Sequence, residues 1–128
     1  MPQDPIAAWH ELVERRSPEG LDALVDENAV FYSPVVHTPQ TGKAVTVQYL
    51  SAALQVFVTD DFHYVRQVKD DNNAILEFEV ELDGIQVNGV DMIRWNDAGK
   101  ITEFKVMLRP LKAVNLIHQK MAAMLQAR

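Results

Sequence analysis

One carboxylate stands out as a candidate for acid–base chemistry because it lies in an apolar stretch. Asp91 occurs in GVDMIRWNDAGKI, residues 89–101, where its direct neighbours are Val90 and Met92. A carboxylate that points into a protein costs several kcal/mol unless it is paired or protonated. The face of the strand that carries Asp91 therefore decides whether it is a solvated side chain or the acid of a buried site.

The four histidines are candidate bases, because an imidazole gains and loses a proton near neutral pH. His37 lies in a predicted loop, His10 on the first predicted helix and His63 at a predicted strand. His118 lies on the last predicted helix among Lys and Gln, where we expect it to be solvated. No two of them have the close spacing of a helical metal motif, so we expect neither a metal nor another cofactor.

Three glutamates, Glu77, Glu79 and Glu81, alternate with apolar residues in AILEFEVELDG. Side chains along a strand point alternately to opposite faces, so the three share one face and the apolar residues share the other. The apolar set is expected to face the helices. The glutamates are then expected on an outer surface that is either solvated or in contact with another subunit.

The composition predicts a globular protein that does not bind nucleic acid. The chain has 128 residues, 48% of them hydrophobic and 23% charged, with a formal net charge of −6. That charge disfavours a polyanionic partner, since nucleic-acid binding depends on clustered Lys and Arg. No stretch approaches the roughly 18 apolar residues of a membrane span, and the sequence has no Cys. We expect a cytoplasmic protein without a membrane partner.

Helical periodicity and turn residues predict the first elements that position these side chains. Helices are predicted over residues 5–16, around 21–25, over 43–57 and after residue 110. A short strand is predicted over residues 29–32, and the VVHTPQTG segment that follows is predicted to be a loop.

From residue 62 onward the apolar period changes to two, which is typical of strands. Four strands are predicted over residues 62–68, 74–82, 85–95 and 101–108. Their short polar connections, Asp83-Gly84 among them, imply antiparallel neighbours. Helices followed by such a sheet indicate an α+β domain with helices on one face and a pocket on the concave side.

Alternation alone does not orient the strand over residues 85–95. Val90 and Met92 compete with Asp91, Ile93 and Trp95 for the inner face. A shift of one residue would reverse the whole assignment.

The order of elements and three local stretches resemble the nuclear transport factor 2-like superfamily, which includes ketosteroid isomerases, scytalone dehydratases and SnoaL-like polyketide cyclases. The stretches are AAWHELVERR, then ENAVFYSP followed by TGKAVTVQYL, and DMIRWNDAGKITEFKVML. The resemblance implies a single SnoaL-like domain over residues 1–128. Its fold would be a cone of curved antiparallel sheet wrapped on three to four helices, dimerised through the sheet, with an apolar pocket at the open end.

The resemblance also assigns positions to a site. Isomerases of this superfamily use a carboxylate base after the first strand, a tyrosine on the first helix and a protonated aspartic acid on a late strand. The acid falls on Asp91, which favours an inward orientation. The tyrosine position falls on Trp9, which donates an N–H but exchanges no proton, and the base position falls on Ser33, which has no basic strength. His37, His10 and His63 remain as substitute bases.

We therefore predict a protein that binds a small apolar or carbonyl-containing molecule, with Asp91 as acid and His37 as base if it is an isomerase, cyclase or dehydratase. The predicted pocket residues are Trp9, Tyr32, Tyr49, Leu50, Leu76, Phe78, Val80, Phe104, Val106 and Leu108. The alternative is a non-catalytic protein-interaction or ligand-carrier module. The outer charges, Glu77, Glu79, Glu81, Lys105 and Arg109, are more consistent with a homodimer face held by salt bridges than with an exposed apolar patch.

Overall fold

The described part of the chain, residues 4–126 of a computed structural model, folds into a six-stranded sheet and four helices. The helices are α1 (Ile6–Arg15), α2 (Leu21–Leu24), α3 (Lys43–Phe57) and α4 (Leu111–Gln126). The strands are β1 (Val25–Tyr32), β2 (Gln40–Thr41), β3 (His63–Lys69), β4 (Asn73–Leu82), β5 (Ile85–Trp95) and β6 (Ile101–Arg109). The prediction of an α+β fold with a curved sheet is confirmed.

The strand order across the sheet is β2-β1-β6-β5-β4-β3. The pairs formed by β3 to β6 are antiparallel, as the short connections predicted, and Asp83 and Gly84 both have the positive φ of a tight hairpin turn. In contrast, β1 is parallel to β6. These two strands lie far apart in the sequence, so no hairpin turn fixes their relative direction.

Two predictions about the first strand were incomplete. The strand begins at Val25 rather than Ala29. The prediction missed its first four residues because the polar residues 26–28 interrupt the apolar alternation that marks a strand. The predicted loop VVHTPQTG contains β2, which pairs with Val30 and Phe31. A strand of two residues is too short to show any period.

The core lies between the inner face of the sheet and the helices. Ile6, Trp9 and Leu12 of α1 are buried there, and the Trp9 ring packs edge-on against Phe104 of β6, with the ring centroids 5.0 Å apart. Helix α4 packs across α3, β5 and β6. The helices therefore cover one face of the sheet, and a side chain on that face is removed from water.

The structure resolves the orientation of β5. Asp91, Ile93 and Trp95 are buried on the inner face, whereas Val90 and Met92 are half-buried on the outer face. Asp91 lies opposite Leu76 of β4 and Val106 of β6 in the strand register. The inward orientation of Asp91 is confirmed.

Gly89 permits close packing on the inner face, two residues before Asp91. A Cβ atom at this position would lie 2.6 Å from Cζ of Phe78, 2.7 Å from Cδ2 of Leu108 and 2.8 Å from the backbone oxygen of Met107. Only glycine leaves room for the Phe78 ring to lie across β5.

The outer face carries the glutamates, as predicted. Glu77 pairs with Arg66, whose Nε lies 3.4 Å from Oε1, and Glu79 lies 3.7 Å from Nε2 of His63. Glu81 accepts a hydrogen bond from Gln86. Within residues 4–126 no helix is long and apolar enough to cross a membrane, and the cytoplasmic location stays a prediction.

Candidate active site

Asp91 is the buried acid of the inner sheet face. Only 6% of its surface is exposed, and the residues opposite it on both neighbouring strands are apolar. Its Oδ2 atom accepts a hydrogen bond of 2.7 Å from the Tyr64 hydroxyl. Tyr64 lies on β3, so its side chain reaches across β4 to meet Asp91.

Tyr64 is itself held by a second hydrogen bond. The indole Nε1 of Trp9 on α1 donates to the Tyr64 hydroxyl oxygen over 3.0 Å. Trp9 therefore acts at this site as a hydrogen-bond donor to Tyr64. A helix and two strands thus fix the carboxyl group through a chain of two hydrogen bonds.

The protonation of this group is set mainly by burial. Burial raises the pKa of Asp91 to about 7, although the hydrogen bond from Tyr64 opposes that rise. Burial is the main cause that raises the pKa of Tyr64 well above its ordinary value, and the negative charge of nearby Asp91 is the second. At neutral pH Tyr64 is therefore a neutral hydrogen-bond donor, while Asp91 is present in both its acid and its base form.

A cavity of about 30 Å³, here called the inner chamber, lies against Asp91. Trp9 and Tyr64 line it beside Asp91, and the remaining wall is apolar. Five of the ten predicted pocket residues line this chamber: Trp9, Leu50, Phe78, Phe104 and Val106. The structure thus brings them together with Asp91.

A second cavity, here called the outer chamber, measures about 150 Å³ and lies between residues 31–36, α3 and α4. Tyr49 and Val106 of the predicted set line it, together with Ser33. Ala53, Phe57 and Val106 line both chambers. These three side chains form the partition between them.

The other predicted pocket residues lie elsewhere. Tyr32 and Leu108 line an open surface concavity of about 540 Å³, and the Tyr32 ring there lies beneath Nζ of Lys105, 5.0 Å from its centroid. Leu76 and Val80 are fully buried in the core and line neither chamber. Both face inward as predicted, but the surrounding side chains leave no space beside them.

The structure does not bring His37 to Asp91. His37 is exposed and lines the surface concavity with Tyr32. All four histidines lie within residues 4–126, and none lines the inner chamber. His10 contacts the site through Tyr64: its ring packs edge-on against the Tyr64 ring, with the centroids 5.2 Å apart, while its Nε2 contacts Oε1 of Gln67.

Sequence reasoning missed Tyr64, which supplies the hydrogen bond to Asp91. Its signal was weak: Phe62 and Tyr64 alternate at the start of β3, but the strand is exposed from Val65 onward. A bulge between Tyr64 and Arg66 also interrupts the register with β4. Nothing local distinguishes a tyrosine that reaches a partner two strands away.

Among residues 4–126 no group of three or more His, Cys, Asp or Glu side chains is arranged to hold a metal ion. The polar groups that line the inner chamber are the Asp91 carboxyl group, the Tyr64 hydroxyl and the Trp9 indole N–H.

The chain matches the SnoaL-like domain over residues 6–104. No curated protein matches it significantly by sequence. Among solved structures, a steroid delta-isomerase from Pseudomonas aeruginosa is 37% identical with a TM-score of 0.90, covering 95% of this chain and 89% of that one.

Two further structures extend the similarity. A protein with a cystatin-like fold from Silicibacter pomeroyi is 30% identical with a TM-score of 0.84, covering 92% of this chain and 82% of that one. An NTF2-like protein from Mesorhizobium loti is 20% identical with a TM-score of 0.71, covering 86% and 98%. The chain belongs to the SnoaL-like domain family of the nuclear transport factor 2-like superfamily.

Proposed function

We propose that this protein is a cofactor-independent enzyme that enolises a small apolar carbonyl compound, with Asp91 serving in turn as base and acid. The observation that carries the proposal is a single carboxyl group whose pKa is raised to about 7, fixed by Tyr64 against an apolar chamber. A proton-transfer group works best when its pKa lies near the working pH.

The reaction balances with this one group. The ionised carboxylate takes a proton from the carbon next to the substrate carbonyl, which leaves an enolate. The Asp91 acid formed in this step returns the same proton to another carbon of the conjugated system. The double bond moves, no net proton is gained or lost, and no oxidant or reductant is required.

In this proposal the two carboxyl oxygens of Asp91 have different tasks. Tyr64 donates to Oδ2, and within residues 4–126 no hydrogen bond reaches Oδ1. Oδ1 is therefore the oxygen that exchanges the proton with the substrate. Tyr64 acts as a positioning residue, because it fixes the orientation of the carboxyl group.

The comparisons support an isomerase over the other two reaction classes. The relative from Pseudomonas aeruginosa, 37% identical, is described as a steroid delta-isomerase. Double-bond isomerisation next to a ketone proceeds through an enolate, so the same first step serves both proteins. His37, predicted as the base, lies outside the chamber, and Asp91 performs both transfers in this proposal.

Enolisation is measurable without knowing the natural substrate. Exchange of hydrogen for deuterium at the carbon next to the carbonyl of cyclohexanone in D₂O is followed by NMR. We expect the exchange rate to rise through pH 7 and then level off. We expect Asp91→Asn to lose the enzyme-dependent rate, by about 10²–10⁴-fold, whereas the exposed control Asp97→Asn retains it. Equal rates for Asp91→Asn and the wild type would refute the proposal.

We also propose a homodimer through the outer face of the sheet, with a small molecule as the other partner. The outer face presents Ile75 and Met107, which are 42% and 51% exposed. In the strand register they lie opposite Met92 and Val90, which also face outward. A contiguous apolar strip rimmed by ion pairs is typical of a subunit contact.

A further inference from the structure

The two chambers differ in size and in chemistry. The inner chamber, at about 30 Å³, has room for a single small group and contains the acid. The outer chamber, at about 150 Å³, has mostly apolar walls. An apolar cavity of about 150 Å³ holds one benzene-sized ring. Even together the chambers remain below the ~300 Å³ at which pockets for drug-sized ligands begin.

The partition limits how a ligand occupies both chambers. Ala53, Phe57 and Val106 line both, whereas Asp91 lines only the inner one. Phe57 is 7% exposed and packs edge-on against Phe78, with the ring centroids 5.5 Å apart. A ring held in this way yields little space, so a wide fused skeleton does not fit across the partition.

The outer chamber has few polar side chains: Ser33, Tyr49 and His118 of α4, which is exposed as predicted. The Ser33 hydroxyl accepts hydrogen bonds from the backbone N–H groups of Val35 and Val36. The Tyr49 ring stacks on Phe31 at a centroid distance of 4.9 Å. Helix α4 contributes Met121 and Ala122 to the opposite wall. Most of the wall is apolar, so this chamber selects mainly by size and apolarity.

From these dimensions we infer that the substrate is a single-ring or short-chain carbonyl compound. Its carbonyl and the adjacent carbon would lie at Asp91 in the inner chamber, and the rest of its apolar body would extend into the outer one. A skeleton of four fused rings is larger than the two chambers together, which would separate this chain from the specificity named for its Pseudomonas aeruginosa relative. The inference rests on the proposed function, because it takes Asp91 as the group that meets the carbon next to the carbonyl. Ala122 and the partition residues then determine substrate size.

Two probes and two variants test this inference. The probes are 3-cyclohexen-1-one, which has one ring, and a four-ring steroid with a β,γ-unsaturated ketone. Binding is measured by saturation-transfer NMR and Trp fluorescence, and conversion by the ultraviolet absorbance of the conjugated product. Ala122→Trp fills the outer chamber from α4. Ala123→Trp is the matched control, because Ala123 is exposed on a separate groove.

We expect the wild type to favour the single-ring probe over the steroid by at least about tenfold in kcat/KM. Ala122→Trp should weaken binding of that probe by at least about tenfold, while Ala123→Trp leaves it unchanged. Equal preference for the steroid, or equal behaviour of the two Trp variants, overturns the size inference even if the enzyme is active. The single-ring probe could also bind, and lose affinity in Ala122→Trp, without being converted or exchanging hydrogen. That result supports the size inference and refutes the proposed enolisation.

Discussion

The Tyr64 hydroxyl donates a hydrogen bond of 2.7 Å to Oδ2 of Asp91 across the width of a strand that lies between them. This bond favours the ionised carboxylate, while burial favours the neutral acid, and burial is the larger effect. The balance leaves the pKa of Asp91 at about 7. The site therefore owes its acid–base behaviour to an apolar environment that a single tyrosine partly offsets.

Removing the Tyr64 hydroxyl should raise the pKa of Asp91 above its present value. In Tyr64→Phe the carboxylate loses the one hydrogen bond that it accepts within residues 4–126, while the burial remains. Trp9 Nε1 also loses its acceptor, and an unpaired buried donor costs about 1–3 kcal/mol of stability. The Asp91 titration is followed by NMR of selectively ¹³C-labelled aspartate, with Tyr49→Phe as the matched control. A titration midpoint that stays the same or falls contradicts the role given to Tyr64.

Asp91→Asn should stabilise the protein in alkaline but not in acidic solution. The pKa of Asp91 is raised in the folded state, so the unfolded chain releases its proton first as the pH rises. The folded state consequently loses stability between its ordinary pKa of 3.8 and about 7, by up to about 4 kcal/mol for a shift of this size. Asn carries no charge, so this loss is absent from the variant.

Urea unfolding at pH 4 and pH 8 measures the effect. The free energy of unfolding of Asp91→Asn should exceed that of the wild type at pH 8 and match it closely at pH 4. Asp97→Asn, in an exposed turn, should show no such difference. A variant that is less stable than the wild type at pH 8 would show that burial of the charge is not costly here. Together with the loss of exchange activity, the expected result would identify Asp91 as a residue that trades stability for function.

Much of the fold was predictable because its determinants are local. The alternation of Leu76, Phe78, Val80 and Leu82 fixed the faces of β4, and the helix predicted over residues 43–57 has those bounds in the structure. The Asp83-Gly84 pair marked the hairpin between β4 and β5. Each of these features depends on residues close together in the sequence.

The site was only half predictable because its determinants are long-range. Asp91 was recognisable as an acid in an apolar strand, yet its partner Tyr64 lies 27 residues earlier and two strands away. His37 follows the first strand as a base position would, but its loop turns to the open surface. The division into two chambers depends on how Phe57 and Val106 pack between α3 and β6. No periodicity encodes such packing.

A charge placed on the outer sheet face should separate the proposed dimer. Met107 is 51% exposed and lies opposite Val90 in the strand register. In a dimer formed by this face, a glutamate at position 107 would either meet the equivalent glutamate of the second subunit or lose its hydration against apolar residues. We expect Met107→Glu to give a monomer in size-exclusion chromatography with light scattering. Ala7→Glu, on the exposed side of α1, should stay dimeric. A monomeric wild type would remove the outer face as a subunit contact.

Adding one methyl group at Gly89 should narrow the inner chamber by displacing one of its wall residues, Phe78. The new Cβ would lie 2.6 Å from Phe78 Cζ and 2.8 Å from a backbone oxygen that moves little, so the Phe78 ring must shift. Phe78 lines the inner chamber, and its shift would narrow the space at Asp91. Overpacking of this kind costs about 1–3 kcal/mol.

We expect Gly89→Ala to lower the thermal midpoint and to weaken binding of the single-ring ketone, while the protein stays folded by circular dichroism. Val90→Ala is the control, since Val90 lies on the same strand but faces outward. It should leave ligand binding unchanged. If Gly89→Ala leaves stability and affinity unaltered, the Phe78 ring has free space to move into. The inner chamber would then be larger than about 30 Å³.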